Sequence, residues 1–216
     1  MRVLNFILDL LYPPKCAFCR RLLRDGENGA CRACLRKLPY VPGGERREKI
    51  KNVSRCIVPL YYRDAVRESL LRYKFEGITA YKDIYAELIA DAVRDSGEAF
   101  DLITWAPLSK KRLKKRGYDQ TELIARALSA RLGLPCVRTL EKVRDNPPQS
   151  SLDDERERKK NVSGVYRCID MDAVRGKKLL FVDDIVTSGS TLAECAGVLK
   201  SCGAESVIAA AAASAH

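Results

Sequence analysis

Apolar and polar positions along the chain predict strands and helices in alternation. Short apolar runs rich in branched residues or alanine predict buried strands at residues 56–62, 101–107, 179–182 and 206–213. Apolar positions at helical spacing predict helices at residues 64–75, 81–94, 120–132 and 192–202. This order predicts an α/β fold with a mostly parallel sheet flanked by helices.

Several residues set the limits of these elements. Pro59 cannot donate to a β-ladder, so the first run is predicted to be an edge or irregular strand. Asp119 is predicted to cap the 120–132 helix, with Glu122 at the capping-box position and Gly133 at the C-terminal end. In the 64–75 helix, Phe75 is predicted to share the buried face of Val66.

The stretch LLFVDDIVTSGSTL, residues 179–192, carries the most specific chemistry. Asp183 and Asp184 follow the apolar strand, and a loop of small residues then leads into a helix. Glycine allows close approach of the backbone to a ligand, and the N-terminus of a helix attracts phosphate. The bound group would contact Thr187, Ser188, Gly189, Ser190 and Thr191.

The two carboxylates are suited to a different part of the same ligand. They can accept hydrogen bonds from ribose hydroxyls or hold Mg²⁺, directly or through water. A phosphate loop beside two acids therefore predicts a site for a phosphorylated sugar. The alternative is an ordinary strand–loop–helix whose polar residues only cap the helix.

Four of the nine cysteines form two Cys-x-x-Cys pairs, Cys16 with Cys19 and Cys31 with Cys34. Two such pairs supply the four sulfur ligands of a structural zinc site. Unrelated cysteines or two disulfides are the alternatives. The other five cysteines are predicted to be small buried residues. They are Cys56, Cys136, Cys168, Cys195 and Cys202.

Composition narrows the function further. The net charge of +11 favours anionic partners such as nucleic acid or phosphorylated metabolites. The single histidine is the last residue, His216, which excludes histidine-dependent triads and HExxH zinc enzymes. No apolar run is long enough to span a bilayer, and the first 14 residues are predicted to form a packed helix rather than a signal peptide. A cytoplasmic location is expected.

Six basic residues lie between Lys110 and Arg116, directly after the predicted strand 101–107. A loop in this place lies at the carboxyl edge of a parallel sheet, the same edge as the acid pair. The basic run could contact a ligand there, contact a nucleic-acid backbone, or begin a solvated helix.

These motifs resemble two related groups of proteins. Residues 183–191 are similar to the ribose-phosphate motif of type I phosphoribosyltransferases. Pro-Leu-Ser before the basic run, Arg-Gly-Tyr after it and the four-cysteine module resemble the ComF family of competence proteins. Trp105, Asp119 and Ser188 depart mildly from the usual ComF pattern.

The resemblance implies a ligand and partners. It implies binding of phosphoribosyl pyrophosphate with Mg²⁺, and a role in natural competence and DNA uptake with single-stranded DNA and a competence helicase as partners. Asp183 and Asp184 would contact the ribose and act in any transfer, and residues 187–191 the 5′-phosphate. Weaker candidates for the pyrophosphate and its covering loop are Ser109, Arg112, Arg116, Gln149 and Arg156.

Two units are predicted, with the boundary in the Pro- and Gly-containing stretch at residues 39–51. Residues 1–50 would hold an N-terminal helix, the zinc module and the linker, and residues 51–216 the phosphoribosyltransferase-like domain. Three functions remain open: a phosphoribosyltransferase of nucleotide metabolism, a DNA-binding competence protein without turnover, and a sensor of the sugar pyrophosphate. The sequence shows no acceptor site.

Overall fold

A computed structural model describes residues 13–144 and 164–215 of the chain. In chain order the strands are β1 (Cys56–Ile57), β2 (Leu60–Tyr61), β3 (Leu102–Trp105), β4 (Leu140–Lys142), β5 (Tyr166–Cys168), β6 (Lys178–Val186) and β7 (Ser206–Ser214). The helices are α1 (Arg32–Leu35), α2 (Asp64–Phe75), α3 (Lys82–Asp95), α4 (Lys110–Arg116), α5 (Gln120–Leu132), α6 (Met171–Val174) and α7 (Ser190–Ser201). Short 3₁₀ turns cover Pro42–Gly44 and Thr79–Tyr81.

The centre of the fold is a parallel sheet in the order β1, β7, β6, β3, with β2 also paired to β7. The predicted strand at residues 56–62 is thus two short strands, which are separated at Pro59 as that residue's missing N–H requires. β4 and β5 form a separate antiparallel pair, with Glu141 opposite Arg167. The structure therefore confirms an α/β fold with a mostly parallel main sheet.

Alternate residues of the central strands face two different cores. Leu180 and Val182 face a core formed by α2, α3 and α5, whereas Leu179 and Phe181 face a core formed with α7. In β7 the alanines from Ala209 to Ala213 are fully buried. Alanine has a low intrinsic strand preference, so burial between two helical layers determines the conformation of β7.

The zinc module packs directly on the first of these cores. Phe18 meets Tyr85 of α3 edge to face, with ring centroids 6.3 Å apart. A side chain at Gly29 would come within 2.8 Å of the Ile84 Cβ atom, so glycine permits this close approach. The module and the α/β layers therefore share one hydrophobic core.

Four predictions about local structure need correction. β6 continues through Asp183 and Asp184 to Val186, because β7 pairs with this whole stretch. α7 begins at Ser190, two residues before its predicted start. The basic run after β3 is the helix α4, capped by Ser109, because lysine and arginine are good helix formers.

The fourth correction concerns the end of α2. Phe75 is 69% exposed rather than buried, because a helical period of about 3.6 residues places it on the side of α2 opposite Val66 and Tyr73. The guanidinium of Arg116 lies over its ring, 5.1 Å from the centroid. An exposed aromatic ring with a cation on one face therefore stands beside the basic helix.

Other predicted elements are confirmed. α2 has the predicted limits, and Asp119 caps α5, which ends at Gly133 in the left-handed conformation. Glu122 does not complete a capping box, because its carboxylate pairs with Arg126 instead. Cys56 and Cys195 are buried, and the other three cysteines outside the predicted zinc set are half-buried.

Candidate functional site

The acid pair lies on the last part of β6, at the carboxyl edge of the sheet. Neighbouring residues of a strand point to opposite faces, so the two carboxylates have different surroundings. Asp184 faces the layer of α2 and α5, and Asp183 faces the side of α7. Each acid therefore needs its own description.

Asp184 is almost fully buried, at 4% exposure, and both of its carboxylate oxygens have partners. Lys74 Nζ of α2 lies 2.8 Å from Oδ1, and Gln120 Nε2 of α5 donates to Oδ2 at 2.7 Å. A buried carboxylate needs such compensation. Asp184 is thus held in place by side chains from two different helices.

Asp183 is more accessible and has an open carboxylate oxygen. Its Oδ1 accepts a 2.8 Å hydrogen bond from the backbone N–H of Asp184. Within residues 13–144 and 164–215, Oδ2 has no hydrogen-bond partner. Burial of the carboxyl and the neighbouring Asp184 charge raise the pKa of Asp183. An additional cation or hydrogen-bond donor would therefore be favourable here.

The predicted phosphate loop joins β6 to α7. Gly189 has φ of 74° and occupies the N-cap position, with no side-chain cap on the helix. The Ser188 and Ser190 hydroxyl oxygens lie 2.8 Å apart, so these two side chains hydrogen bond to each other. The first N–H groups of a helix have no partner within the helix, and this end of α7 therefore suits an anion.

Residues between the zinc module and the sheet hold this loop by hydrogen bonds and close packing. Arg46 Nη1 donates to the Thr187 carbonyl at 2.6 Å and to Ser214 Oγ at 3.3 Å. Asn52 Nδ2 donates to the Ala193 carbonyl in α7 at 3.2 Å. A side chain at position 189 would come within 2.9 Å of Ile50. Linker residues thus fix both the loop and the start of α7.

The basic helix α4 is connected to the acid pair through Gln120. Arg116 donates to Gln120 Oε1, and Gln120 in turn donates to Asp184. Asp119 Oδ2 accepts from the Leu108 N–H at 2.8 Å, which anchors the chain just before α4. The basic residues therefore lie on the same edge as the acids.

The structure places the weaker predicted ligand residues as follows. Ser109 is buried and serves as the N-cap of α4. Arg112 is half-buried, and its charge lies close enough to Tyr166 to oppose the rise in the pKa of that phenol. Arg116 is connected to Asp184 through Gln120, which is hydrogen bonded to both side chains. Gln149 and Arg156 lie outside the described residues, so their predicted role stays a prediction.

Three residues at this edge were not predicted as part of the site. Lys74 and Gln120 hold Asp184, and Arg46 holds the loop at Thr187. Gln120 belongs to the Arg-Gly-Tyr-Asp-Gln stretch, which was a usable signal. Lys74 and Arg46 come from distant helix and linker positions, and only the tertiary fold brings them to the acids and the loop.

The four predicted zinc ligands do come together. The sulfur atoms of Cys16, Cys19, Cys31 and Cys34 all lie within 4.8 Å of one another. Backbone N–H groups donate to two of them, from Cys31 to Cys16 Sγ and from Cys34 to Cys31 Sγ, each at 3.3 Å. Four clustered sulfurs on tight turns are the donor set of a structural zinc ion.

Hydrogen bonds favour the thiolate form at Cys31, whereas burial raises the pKa of the Cys19 and Cys34 thiols. Burial raises the pKa of the Cys31 thiol, but hydrogen bonds from the Cys34 N–H and from Arg21 outweigh it and lower that pKa to about 6. Arg21 is itself held by Glu27 at 2.6 and 2.8 Å. Thiolate is the form that binds zinc, so these residues fit the metal.

Comparisons with known proteins agree with this geometry. A family model described as "Phosphoribosyl transferase domain" matches residues 121–216, and one described as "Double zinc ribbon domain" matches residues 7–46. The chain is 25% identical to "Competence protein F" of Haemophilus influenzae over 89% of this chain and 93% of that protein. The similarity to a protein named for competence thus extends over most of both chains.

Two further similarities accompany this match. The chain is 28% identical to "DNA utilization protein YhgH" of Salmonella typhimurium, over 92% of this chain and 96% of that protein. A solved adenine phosphoribosyltransferase from Thermoanaerobacter pseudethanolicus is 20% identical, with a TM-score of 0.41 over 64% of this chain and 83% of that one. The two family models, with the parallel sheet and the clustered cysteines, give the chain a phosphoribosyltransferase-like domain and a zinc ribbon.

In the described part of the chain, no helix combines the length and the apolar character that crossing a bilayer requires.

Proposed function

We propose that this protein is a member of the ComF family, binds phosphoribosyl pyrophosphate with Mg²⁺ at the carboxyl edge of the sheet and acts in natural competence and DNA uptake. The observation that carries the proposal is the sequence of groups along β6 and α7. An accessible carboxylate at Asp183 is followed, within one loop, by hydroxyls and the N-terminus of a helix that suits an anion. A sugar phosphate presents hydroxyls and a phosphate on one molecule, which are the two kinds of group that this stretch suits.

Different residues would bind different parts of the ligand. Residues 187–191 bind the 5′-phosphate, and the open oxygen of Asp183 accepts from a ribose hydroxyl. Asp184 keeps its partners Lys74 and Gln120 and places Asp183 by holding the end of β6. Arg112 and Arg116 supply positive charge for the pyrophosphate from α4. The division of β6 into an accessible acid and a fixed acid follows from the strand's alternation.

The carboxylate chemistry also fits magnesium. Mg²⁺ prefers oxygen ligands and is commonly bound by one or two carboxylates together with substrate phosphates. Asp183 is the residue that would hold it. When bound, the ion would neutralise pyrophosphate charge, which is the charge that leaves in a phosphoribosyl transfer.

The family names support the biological role. The similar proteins are called competence or DNA utilization proteins, which agrees with a role in DNA uptake. A competence helicase is the protein partner that the family resemblance implies. A phosphoribosyltransferase of nucleotide metabolism is the alternative, and it would be distinguished by release of pyrophosphate when a nucleobase or amine acceptor is added.

Single-stranded DNA binding without turnover is the second candidate function. α4 carries six basic residues, and four of them, Lys110, Lys111, Lys114 and Lys115, are exposed. Phe75 adds an exposed aromatic ring beside Arg116. Positive charge with an aromatic face is the combination that single-strand binders use, because charge follows the backbone and rings stack on bases.

Calorimetry tests the ligand and the two functions together. The native protein should bind phosphoribosyl pyrophosphate saturably with Mg²⁺, and the Asp183→Asn/Asp184→Asn variant should not. Repeating the titration with single-stranded DNA shows whether the two share a site, because a shared site gives competition. No binding by the native protein at millimolar ligand would overturn the sugar-phosphate proposal.

Separate variants test the binding of single-stranded DNA. Neutralising Lys110, Lys111, Lys114 and Lys115 to glutamine should weaken binding of single-stranded DNA and reduce its salt dependence. Phe75→Ala should weaken it at constant salt dependence, since stacking is not ionic. Lys82→Gln/Lys200→Gln, on other helices, removes two charges and is the charge-matched control for Lys114→Gln/Lys115→Gln on α4. An equal loss in the control would contradict a DNA site on α4.

A further inference from the structure

Three consecutive residues of α2 contact three different parts of the molecule. Arg72 reaches the zinc module, Tyr73 reaches the start of α5, and Lys74 reaches the acid pair. We propose that the last turn of α2 couples the first cysteine turn to Asp184, with Arg72 and Lys74 as positioning residues. The effect of this coupling on ligand binding rests on the proposed function. The connection between the cysteine turn and Asp184 does not.

The zinc end of this connection is a buried guanidinium inside the first cysteine turn. Arg72 Nη2 donates to the carbonyls of Ala17 and Phe18, at 2.8 and 3.2 Å, and both residues lie between Cys16 and Cys19. Arg72 is only 8% exposed, and its Nε has no hydrogen-bond partner in the described part of the chain. The exposed Glu68 carboxylate lies 3.7 Å from Nη1, so the two carbonyls supply the close hydrogen bonds that this buried charge requires.

The middle of the connection joins α2 to α5. The Tyr73 hydroxyl donates to the Gln120 carbonyl at 2.7 Å, and the Tyr73 ring is fully buried. The Tyr118 hydroxyl donates to the Tyr73 carbonyl, which ties the turn before α5 to the same residue of α2. A shift of α2 would therefore move the first residue of α5.

The site end is the carboxylate of Asp184. Lys74 and Gln120 each hold one of its oxygens, and both depend on α2, directly or through Tyr73. Each oxygen thus has a single partner, and both partners respond to the same helix turn. Displacing α2 would loosen Asp184 and, through the backbone of β6, the neighbouring Asp183.

The direction of the coupling follows from what holds the first cysteine turn. Four sulfur ligands on one zinc ion fix the carbonyls of residues 17 and 18, which receive Arg72. Zinc binding and ligand binding would then favour the same position of α2. By linkage, a ligand at the acid pair must strengthen zinc binding by the same factor as zinc strengthens ligand binding.

Hydrogen exchange in the ligand-free protein tests the structural part. Arg72→Gln should retain its zinc, measured by metal analysis, yet exchange about tenfold faster in the last turn of α2, the first turn of α5 and residues 183–186. Arg67→Gln is the matched control, an exposed arginine of the same helix with the same loss of charge. Arg72→Lys should restore part of the protection, since it keeps the charge. Unchanged exchange at α5 and residues 183–186 in Arg72→Gln would overturn the proposal.

The ligand part is tested by calorimetry with phosphoribosyl pyrophosphate and Mg²⁺. Arg72→Gln should weaken binding about tenfold and Arg67→Gln should not. In competition with a zinc chelator, ligand should raise the zinc affinity of the native protein but not of Arg72→Gln. Faster exchange with unaltered ligand affinity would overturn the coupling to the ligand. If the native protein binds no ligand, the proposed function fails, and the exchange result alone decides the connection.

Discussion

At the scale of residues, the two neighbouring acids differ in what surrounds them. Asp184 is buried with a partner on each oxygen, whereas Asp183 retains an oxygen with no hydrogen-bond partner in the described part of the chain. Both oxygens of Asp184 are thus engaged by the protein, whereas Asp183 leaves one oxygen open. Substitutions at or beside the two should have different signatures.

Lys74→Met tests the role of Asp184. It keeps the length of the side chain but leaves a buried carboxylate without its cation, which should lower the free energy of unfolding by about 3 kcal/mol. Lys82→Met is the control, because Lys82 pairs with the exposed Asp83 and its loss should cost under about 1 kcal/mol. Both are measured by urea denaturation.

The double variant Lys74→Met/Asp184→Asn sharpens this test. A neutral amide at position 184 needs no cation, so the double variant should recover a large part of the stability lost in Lys74→Met. Additive losses would contradict an ionic role for Lys74.

The pH dependence of stability tests the surroundings of Asp183. Burial, with the nearby charge of Asp184, raises the pKa of Asp183 from 3.8 to about 8. Between these values the unfolded chain loses this proton while the folded protein keeps it, so unfolding releases protons and stability falls as pH rises. Asp183→Asn should remove this decline. Denaturation from pH 4 to pH 8 without magnesium measures it, and parallel curves for native and variant would contradict it.

At the scale of elements, the phosphate loop depends on a segment distant in sequence. Arg46 and Ile50 of the linker contact Thr187 and Gly189, so the loop is braced by the chain that leaves the zinc module. This bracing makes Gly189 sensitive for two reasons. Its φ is positive, and its Cα lies close to Ile50.

Gly189→Ala separates these two causes when compared with Gly133→Ala. Gly133 has a similar φ of 68° with no atom near the added methyl group, so its substitution should cost only backbone strain, about 1 kcal/mol. At Gly189 the clash with Ile50 should raise the cost to about 2 kcal/mol or more. Urea denaturation compares the two. Equal costs would show that Ile50 does not restrict the loop.

Much of this element structure was predictable from sequence. α2, the cap at Asp119 and the end at Gly133 follow from local spacing and from residues with strong positional preferences. The extension of β6 through the acids was not predictable, because it depends on pairing with β7. Phe75 was predicted wrongly, because the helical period of about 3.6 residues already places it opposite Val66 on α2.

The candidate site was predictable only in part. The acid pair and loop lie in one contiguous stretch, so their order along the chain already describes a site. Lys74, Gln120 and Arg46 come to that stretch from three other segments. Such contacts depend on the tertiary arrangement of helices, which local patterns do not determine.

At the scale of the whole molecule, the zinc module and the α/β layers behave as one unit. Phe18 and Cys16 belong to the same hydrophobic cluster as Tyr85 and Trp105. The predicted boundary after residue 50 therefore remains a proposal about sequence organisation, while the packing joins the two sides. Loss of zinc should therefore lower the stability of the whole core.

Cys16→Ser tests this cooperativity. It should release zinc and lower the free energy of unfolding of the entire core by about 3 kcal/mol or more, since metal loss is one of the few large effects of single substitutions. The chain has one tryptophan, Trp105, which is buried and distant in sequence from the cysteines, so its fluorescence reports the sheet. Cys136→Ser is the control, because Cys136 is not one of the four clustered zinc-ligand cysteines. An unchanged Trp105 transition after zinc loss would contradict a shared core.

The central claim is that the carboxyl edge of the sheet binds a sugar phosphate in one orientation. Phosphorus NMR of phosphoribosyl pyrophosphate with Mg²⁺ tests it most directly, because the 5′-phosphate and the pyrophosphate give separate signals. We predict that the native protein broadens or shifts the 5′-phosphate signal, and that Ser188→Ala/Ser190→Ala reduces this effect more than it reduces the effect on the pyrophosphate. If only the pyrophosphate responds, and the variant behaves like the native protein, the basic surface attracts charge without a phosphate loop, and the account is wrong.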